Sequence, residues 1–154
     1  MPAGVAMYMQ LVLHTIVQGN YREVLGRFNQ DLFVYLAPAF PAFTLLRFDG
    51  SSPGDVVEVQ LSAAGFSVLW SARIIERQIT GTEAWFTDHG EKLPWPLKKW
   101  QHRHLVTRLS ENKSRITDEI YFSTGFLLAD WLLFPVLRYQ FANRVPKYKS
   151  WFGR

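Results

Sequence analysis

The chain has 154 residues, with 17 Lys and Arg against 13 Asp and Glu for a formal charge of +4, and 48% of it is apolar. A chain of this size buries roughly 68–70% of its unfolded surface. With 16% aromatic and only 19% charged residues, it is too apolar to remain disordered, so a single packed domain over 1–154 is expected. Cysteine is absent, which removes disulfide frameworks, thiolate metal sites and cysteine nucleophiles.

The opening MPAGVAMYMQ has neither a basic start nor an apolar run of leader length, so no secretory or transit segment is expected. The longest apolar stretch, 126–137, is interrupted by Asp130 and falls short of the ~20 residues a spanning helix needs. A soluble, cytoplasmic protein without a transmembrane segment is the expectation. The basic residues are scattered singly or in pairs (Arg22, Arg27, Lys98, Lys99, Arg103, Arg108), which argues against a nucleic-acid partner.

Residues 9–17 are rich in Leu, Val, Ile and Thr and read as a strand ended by Gly19-Asn20. Asn20 is a candidate helix cap, and Tyr21, Val24, Leu25 and Phe28 follow at helical spacing. A second short helix or turn is expected over 31–36, ended by Pro38 and Pro41, which lack the N–H a helix needs. From Thr44 the period becomes two, predicting strands at 44–48, 56–63, 67–77, 83–89, 97–109 and 115–123. Short turns, including Ala64-Gly65, Thr80-Gly81, His89-Gly90 and Glu111-Asn112-Lys113, make these an antiparallel meander.

The period changes once more near the C-terminus. Leu128, Trp131, Leu132, Pro135, Tyr139 and Ala142 lie three or four apart, predicting a long helix kinked at Pro135 and ended near Pro146. It is the element long enough to cover the apolar face of the sheet, so a curved sheet wrapped around it is expected. Leu127, Leu133, Phe134 and Leu137 lie off that stripe, and a helix apolar nearly all round needs a second apolar neighbour. The short helices, a partner subunit, a membrane surface or a bound ligand would each serve.

The most specific pattern is Trp100-x-His102-x-His104 with Asp118 in the next strand. Alternation puts Trp100, His102 and His104 on one face, and Asp118 shares a face with Ile116, Ile120 and Phe122. With a three-residue loop at 111–113, Ser110 faces Ser114, His104 faces Ile120, and Asp118 is the diagonal neighbour of His104, within reach of a hydrogen bond. The pair then reads as mutually satisfied buried polar groups, as the polar end of a mainly apolar ligand pocket that also uses Asp88, or as an acid–base pair. A His-x-His pair is also a metal-ligand spacing, but a zinc site needs at least a third convergent ligand, and no metal or other cofactor is expected. No Gly-x-Ser-x-Gly elbow or phosphate-binding loop accompanies it.

The run Trp70-x3-Ile74, Phe86-x-Asp88, Pro96, Trp100-x-His102-x-His104, Ile116-Thr117-Asp118-x-Ile120-x-Phe122, then Phe141-x2-Arg144, resembles the bacterial SRPBCC proteins of the START-like superfamily, relatives of polyketide cyclases, lipid-transfer domains and pollen allergens. The resemblance covers residues 44–144. It implies an α+β helix-grip fold: a seven-stranded curved antiparallel sheet around a long C-terminal helix, with two short helices after the first strand closing a cavity. It also implies a hydrophobic or amphipathic small molecule or lipid as partner. Leu93-Pro94-Trp95-Pro96 and Phe134-Pro135 depart from the usual pattern near the cavity mouth.

The expected site therefore has Asp88, Trp100, His102, His104 and Asp118 orienting a ligand's polar end. Trp70, Phe86, Phe122, Leu128 and Trp131 would supply contact area. No catalytic residue is assigned. One alternative is a cyclase- or dehydratase-type enzyme with His102 or His104 as proton shuttle. Another is an interaction or dimerisation module using exposed Leu133 and Leu137. A monomer or homodimer, with or without peripheral membrane contact, fits these readings.

Overall fold

The computed structural model describes residues 8–153; residues 1–7, read above for a leader, and residue 154 lie outside the described residues. Strand β1 (Met9–Gln18) ends where Gly19 takes a φ of 122°, a left-handed region that glycine enters without steric cost. The Asn20 side chain then accepts the Arg22 N–H at 3.0 Å and opens α1 (Tyr21–Gly26). The Asn29 side chain accepts the Leu32 N–H at 3.0 Å and opens α2 (Gln30–Leu36). Each cap satisfies a donor that has no partner inside its helix. The first helix stops at Gly26, short of Phe28, because the second cap follows so soon.

Strands β2 (Ala42–Phe48), β3 (Val56–Ala63), β4 (Phe66–Ile79), β5 (Glu83–Lys92), β6 (Lys99–Ser110) and β7 (Lys113–Ser123) form the expected meander. The first strand joins it beside the last, giving one seven-stranded antiparallel sheet in the order β1-β7-β6-β5-β4-β3-β2. The β6–β7 turn differs from expectation. Glu111 and Asn112 make the turn, Ser110 faces Lys113, and the register shifts between Arg108 and Ser110. The resulting two-residue slip leaves every side chain on its expected face but brings Asp118 directly opposite His104.

The C-terminal segment is two helices, α3 (Leu127–Ala142) and α4 (Arg144–Phe152), rather than one ending near Pro146. Pro146 sits in the first turn of α4, where its missing N–H removes no intrahelical bond. Behind it Tyr148 and Phe152 are buried in a cluster with Tyr21, Leu25, Leu32 and Phe86. A second cluster joins Leu11, Trp100, Ile120, Phe122 and Phe141, with Leu133, Phe134 and Leu137 packed against it.

The rotation of α3 reverses the sequence expectation. Leu128, Trp131, Leu132 and Tyr139 are 74, 66, 68 and 69% exposed, and Leu133, Phe134 and Leu137, expected outward, pack inward. Both sides of the helix are apolar, so periodicity carried no preference between them. The start of the helix is held by Asp130, buried, whose carboxylate accepts the Thr124 N–H at 2.6 Å and the Thr124 hydroxyl at 2.7 Å. Among the described residues, no helix is long and apolar enough to cross a membrane.

Candidate functional site

Strand alternation aims Asp88 of β5 and Trp100, His102 and His104 of β6 at the same space, and cross-strand register sets Asp88 opposite His102 and His104 opposite Asp118. The short hydrogen bonds run along the diagonals instead. His104 Nε2 lies 2.8 Å from Asp88 Oδ2, and His102 Nε2 lies 2.8 Å from Asp118 Oδ1. The two imidazoles overlap with centroids 3.7 Å apart. Phe86 stacks on the outer face of His104 at 4.3 Å, and Phe141 meets His102 edge-on at 5.3 Å. Tyr148 of α4 donates a long bond, 3.4 Å, to Asp118 Oδ1.

Burial pushes both carboxyls up, but hydrogen bonds from the facing imidazoles and the positive charge of Arg144 outweigh it, holding Asp88 and Asp118 below the ordinary aspartate range. Both are therefore ionised acceptors, and the ring nitrogen facing each must carry the proton. Burial, reinforced by repulsion from His102, pushes His104 down to about 4 against the pull of both aspartates, so this ring is neutral at pH 7. The Tyr148 hydroxyl is pushed up by burial and by Asp118 and stays protonated. His104 Nδ1 is buried with no hydrogen-bond partner among the described residues and stands 4.0 Å from Asp118 Oδ1.

These rings form one wall of a cavity of about 350 Å³ between β2–β6, α2 and α3. Leu32, Phe33 and Leu36 cover one side, Val57, Val59 and Leu61 another, and Val136, Leu137 and Phe141 close the helix side. Gln140 bridges α3 to the proline connector by donating to the Phe40 carbonyl at 3.1 Å. Trp70 meets Trp100 edge-on at 4.7 Å, and both line the space. The enclosure is that of a small-molecule site: mainly apolar walls with a few convergent polar groups.

Of the ten residues read from the sequence, Trp70, Phe86, Asp88, Trp100, His102 and His104 line the cavity. Asp118 stands behind His102, and Phe122 is fully buried in the core beside Trp100. Leu128 and Trp131 are on the outer face of α3 and do not line it. Trp95, in the Leu93-Pro94-Trp95-Pro96 segment, is 90% exposed. Sequence reasoning missed Phe28, Leu32, Arg144 and Tyr148. Arg144 lines the cavity beside the histidines, with its guanidinium 4.4 Å over Phe141. The four-residue spacing of Tyr148 and Phe152 was a readable signal for α4.

No protein-family profile and no curated relative matches the chain, but solved structures do. The ZhuI aromatase/cyclase of Streptomyces superposes with TM-score 0.63 at 14% identity, covering 91% of this chain and 90% of that one. A norcoclaurine synthase of Thalictrum flavum, in a mutant complex with a transition-state analogue, gives 0.61 at 12% identity over 92% and 95%. The ginseng major latex-like protein 151 gives 0.53 at 15% identity over 77% and 80%. Likeness at these identities speaks to architecture, and with the sheet order, the two short helices and the cavity it establishes that this chain has the helix-grip fold shared by these three proteins.

Proposed function

We propose that the chain binds a hydrophobic or amphipathic small molecule, a lipid-like one included, in the cavity between the sheet and α3. The single observation that carries this reading is a mainly apolar enclosure of about 350 Å³ whose ionisable side chains, Asp88, His102, His104 and Arg144, are gathered on one wall. A ligand's hydrocarbon or ring body fits against Trp70, Phe86, Val59 and Leu36, and its polar end meets that wall. Burying the body contributes roughly 25 cal/mol per Å² before the costs of association. Native mass spectrometry of the purified chain, with titration of an environment-sensitive naphthalene dye, tests it. A co-purifying mass or saturable dye binding that Ala72→Trp abolishes supports the reading. A chain with no adduct and no saturable dye site refutes it.

Acid–base catalysis on the bound molecule is the second reading, favoured by the neutral His104 imidazole backed by the Asp88 carboxylate at the cavity wall. Its mark is a candidate cyclisation or dehydration substrate whose turnover His104→Gln abolishes while dye binding persists. Loss of both together removes it. Dimerisation through Leu133 and Leu137 has no support, since both are packed inward.

A further inference from the structure

We propose that Asp88, His102 and His104 constitute a three-ligand site for a divalent transition-metal ion of the zinc type, with its open coordination position facing the cavity. The inference stands apart from the small-molecule reading, since it rests on donor geometry and not on cavity volume. Two borderline imidazoles with one harder carboxylate make a donor set suited to zinc, cobalt and iron(II), and three protein ligands with one vacant position is the arrangement of catalytic rather than structural sites. The three donor atoms lie within 4.8 Å of one another. Asp88 Oδ2 is 2.8 Å from His104 Nε2 and 3.9 Å from His102 Nδ1. For bonds of ~2.0–2.1 Å a tetrahedral ion needs its donors roughly 3.3 Å apart, a value these two distances bracket.

Two features behind the donors fit the same assignment. Ligating histidines usually give their second nitrogen to a carboxylate, which fixes the ring and raises its basicity. His102 already does so, through Nε2 to Asp118 at 2.8 Å, leaving Nδ1 on the Asp88 side. His104 is the other. Buried polar atoms without a partner are rare in folded proteins and call for an explanation, and His104 Nδ1 is one of them. When His104 Nε2 binds an ion instead of donating to Asp88, the neutral ring carries its proton on Nδ1, 4.0 Å from Asp118 Oδ1. A movement of about 1 Å makes that contact a hydrogen bond. Asp118 then supports both rings from behind, and no buried polar atom of the pair is left without a partner. The two carboxylates exceed the single charge of Arg144, so the cluster keeps a net negative charge to balance the ion. The vacant position selects a ligand with an oxygen at its polar end: a phenol, hydroxyl or carbonyl.

The test uses the full chain, freed of metal with a chelator and titrated with Zn²⁺ by calorimetry and with Co²⁺ by visible absorption. The expected result is one ion per chain, with the intense bands of four- or five-coordinate cobalt. His102→Gln and Asp88→Asn should each weaken binding more than about 100-fold, Asp118→Asn by roughly 10–100-fold, and His89→Gln not at all. Binding that is unsaturable, or that survives the first two substitutions, overturns the proposal. Long-range ¹⁵N correlation spectra of the unmutated chain give a readout that needs no variant: Zn²⁺ should move the His104 proton from Nε2 to Nδ1. An unchanged tautomer in the presence of excess Zn²⁺ overturns the proposal equally.

Discussion

Removing the Asp118 carboxylate should separate a buried polar network from incidental proximity. In Asp118→Ala the His102 Nε2–H, 2.8 Å from its acceptor, and the Tyr148 hydroxyl, at 3.4 Å, both lose their buried partner. A buried donor left unsatisfied costs about 1–3 kcal/mol, and the Tyr148 bond, long to begin with, belongs at the bottom of that range. Together these come to about 2–4 kcal/mol, and recovering some of the cost of burying a carboxylate brings the net expected loss to about 2–3 kcal/mol. Asp118→Asn keeps an oxygen facing His102 and should lose about 1 kcal/mol. Urea unfolding at pH 7 with a chelator present, followed by tryptophan fluorescence, reads both values from the shift in midpoint at constant slope. If the alanine variant falls within about 1 kcal/mol of the parent, or matches the asparagine variant, the carboxylate is not what holds these groups.

Three further outcomes follow from the same geometry. Because His104 is held at about 4 in the folded chain against 6.5 for an ordinary histidine, the unfolded chain binds the extra proton between those values. Metal-free stability should then fall by on the order of 3 kcal/mol as the pH drops from 6.5 to 4, and His104→Gln should flatten that part of the profile; a parent profile already flat there contradicts the assignment. Leu132→Ser, on the outer face of α3, should change stability by no more than about 0.5 kcal/mol, whereas Phe141→Ala on the inner face should cost about 3 kcal/mol; thermal melts showing the reverse order would mean the helix is turned the other way. Ala72→Trp, a substitution on the cavity wall, should abolish dye binding in a fluorescence titration and leave the circular dichroism unchanged, and a variant that folds and still binds dye with parental affinity would place the ligand elsewhere.

The strand run was legible because most segments alternate and the turns carry glycine, asparagine or proline chemistry, as was the cap at Asn20; the Asn29 cap was not read, and His89-Gly90, expected as a turn, lies inside β5. The Trp100-x-His102-x-His104 face was legible for the same reason, as period two leaves one choice of side once Trp100 is inside. What failed was pairing and rotation. Register across the β6–β7 turn depended on an irregularity near Leu109 that has no distinctive residue, so the sequence suggested His104 with Asp118 where the short bond joins His102. The side of α3 facing the sheet could not be read, because Leu128 and Leu133 are equally good core residues and only tertiary contact selects between them. Arg144 was read in the resemblance but not placed in the site, because the break at Asn143 that starts α4 at Arg144 was not read and Pro146 looked like a stop rather than part of a first turn.

The pairing of β1 with β7 has a consequence for how the chain is made. Gln10 and Tyr121, joined across that pair, are 111 positions apart, so the first strand leaves the ribosome long before its neighbour exists. Until then its backbone donors and acceptors on that side have only water. Contacts of such long range slow folding, and β7 must be made before the sheet can close on β1, so this part of the native structure should appear all at once rather than accumulate strand by strand.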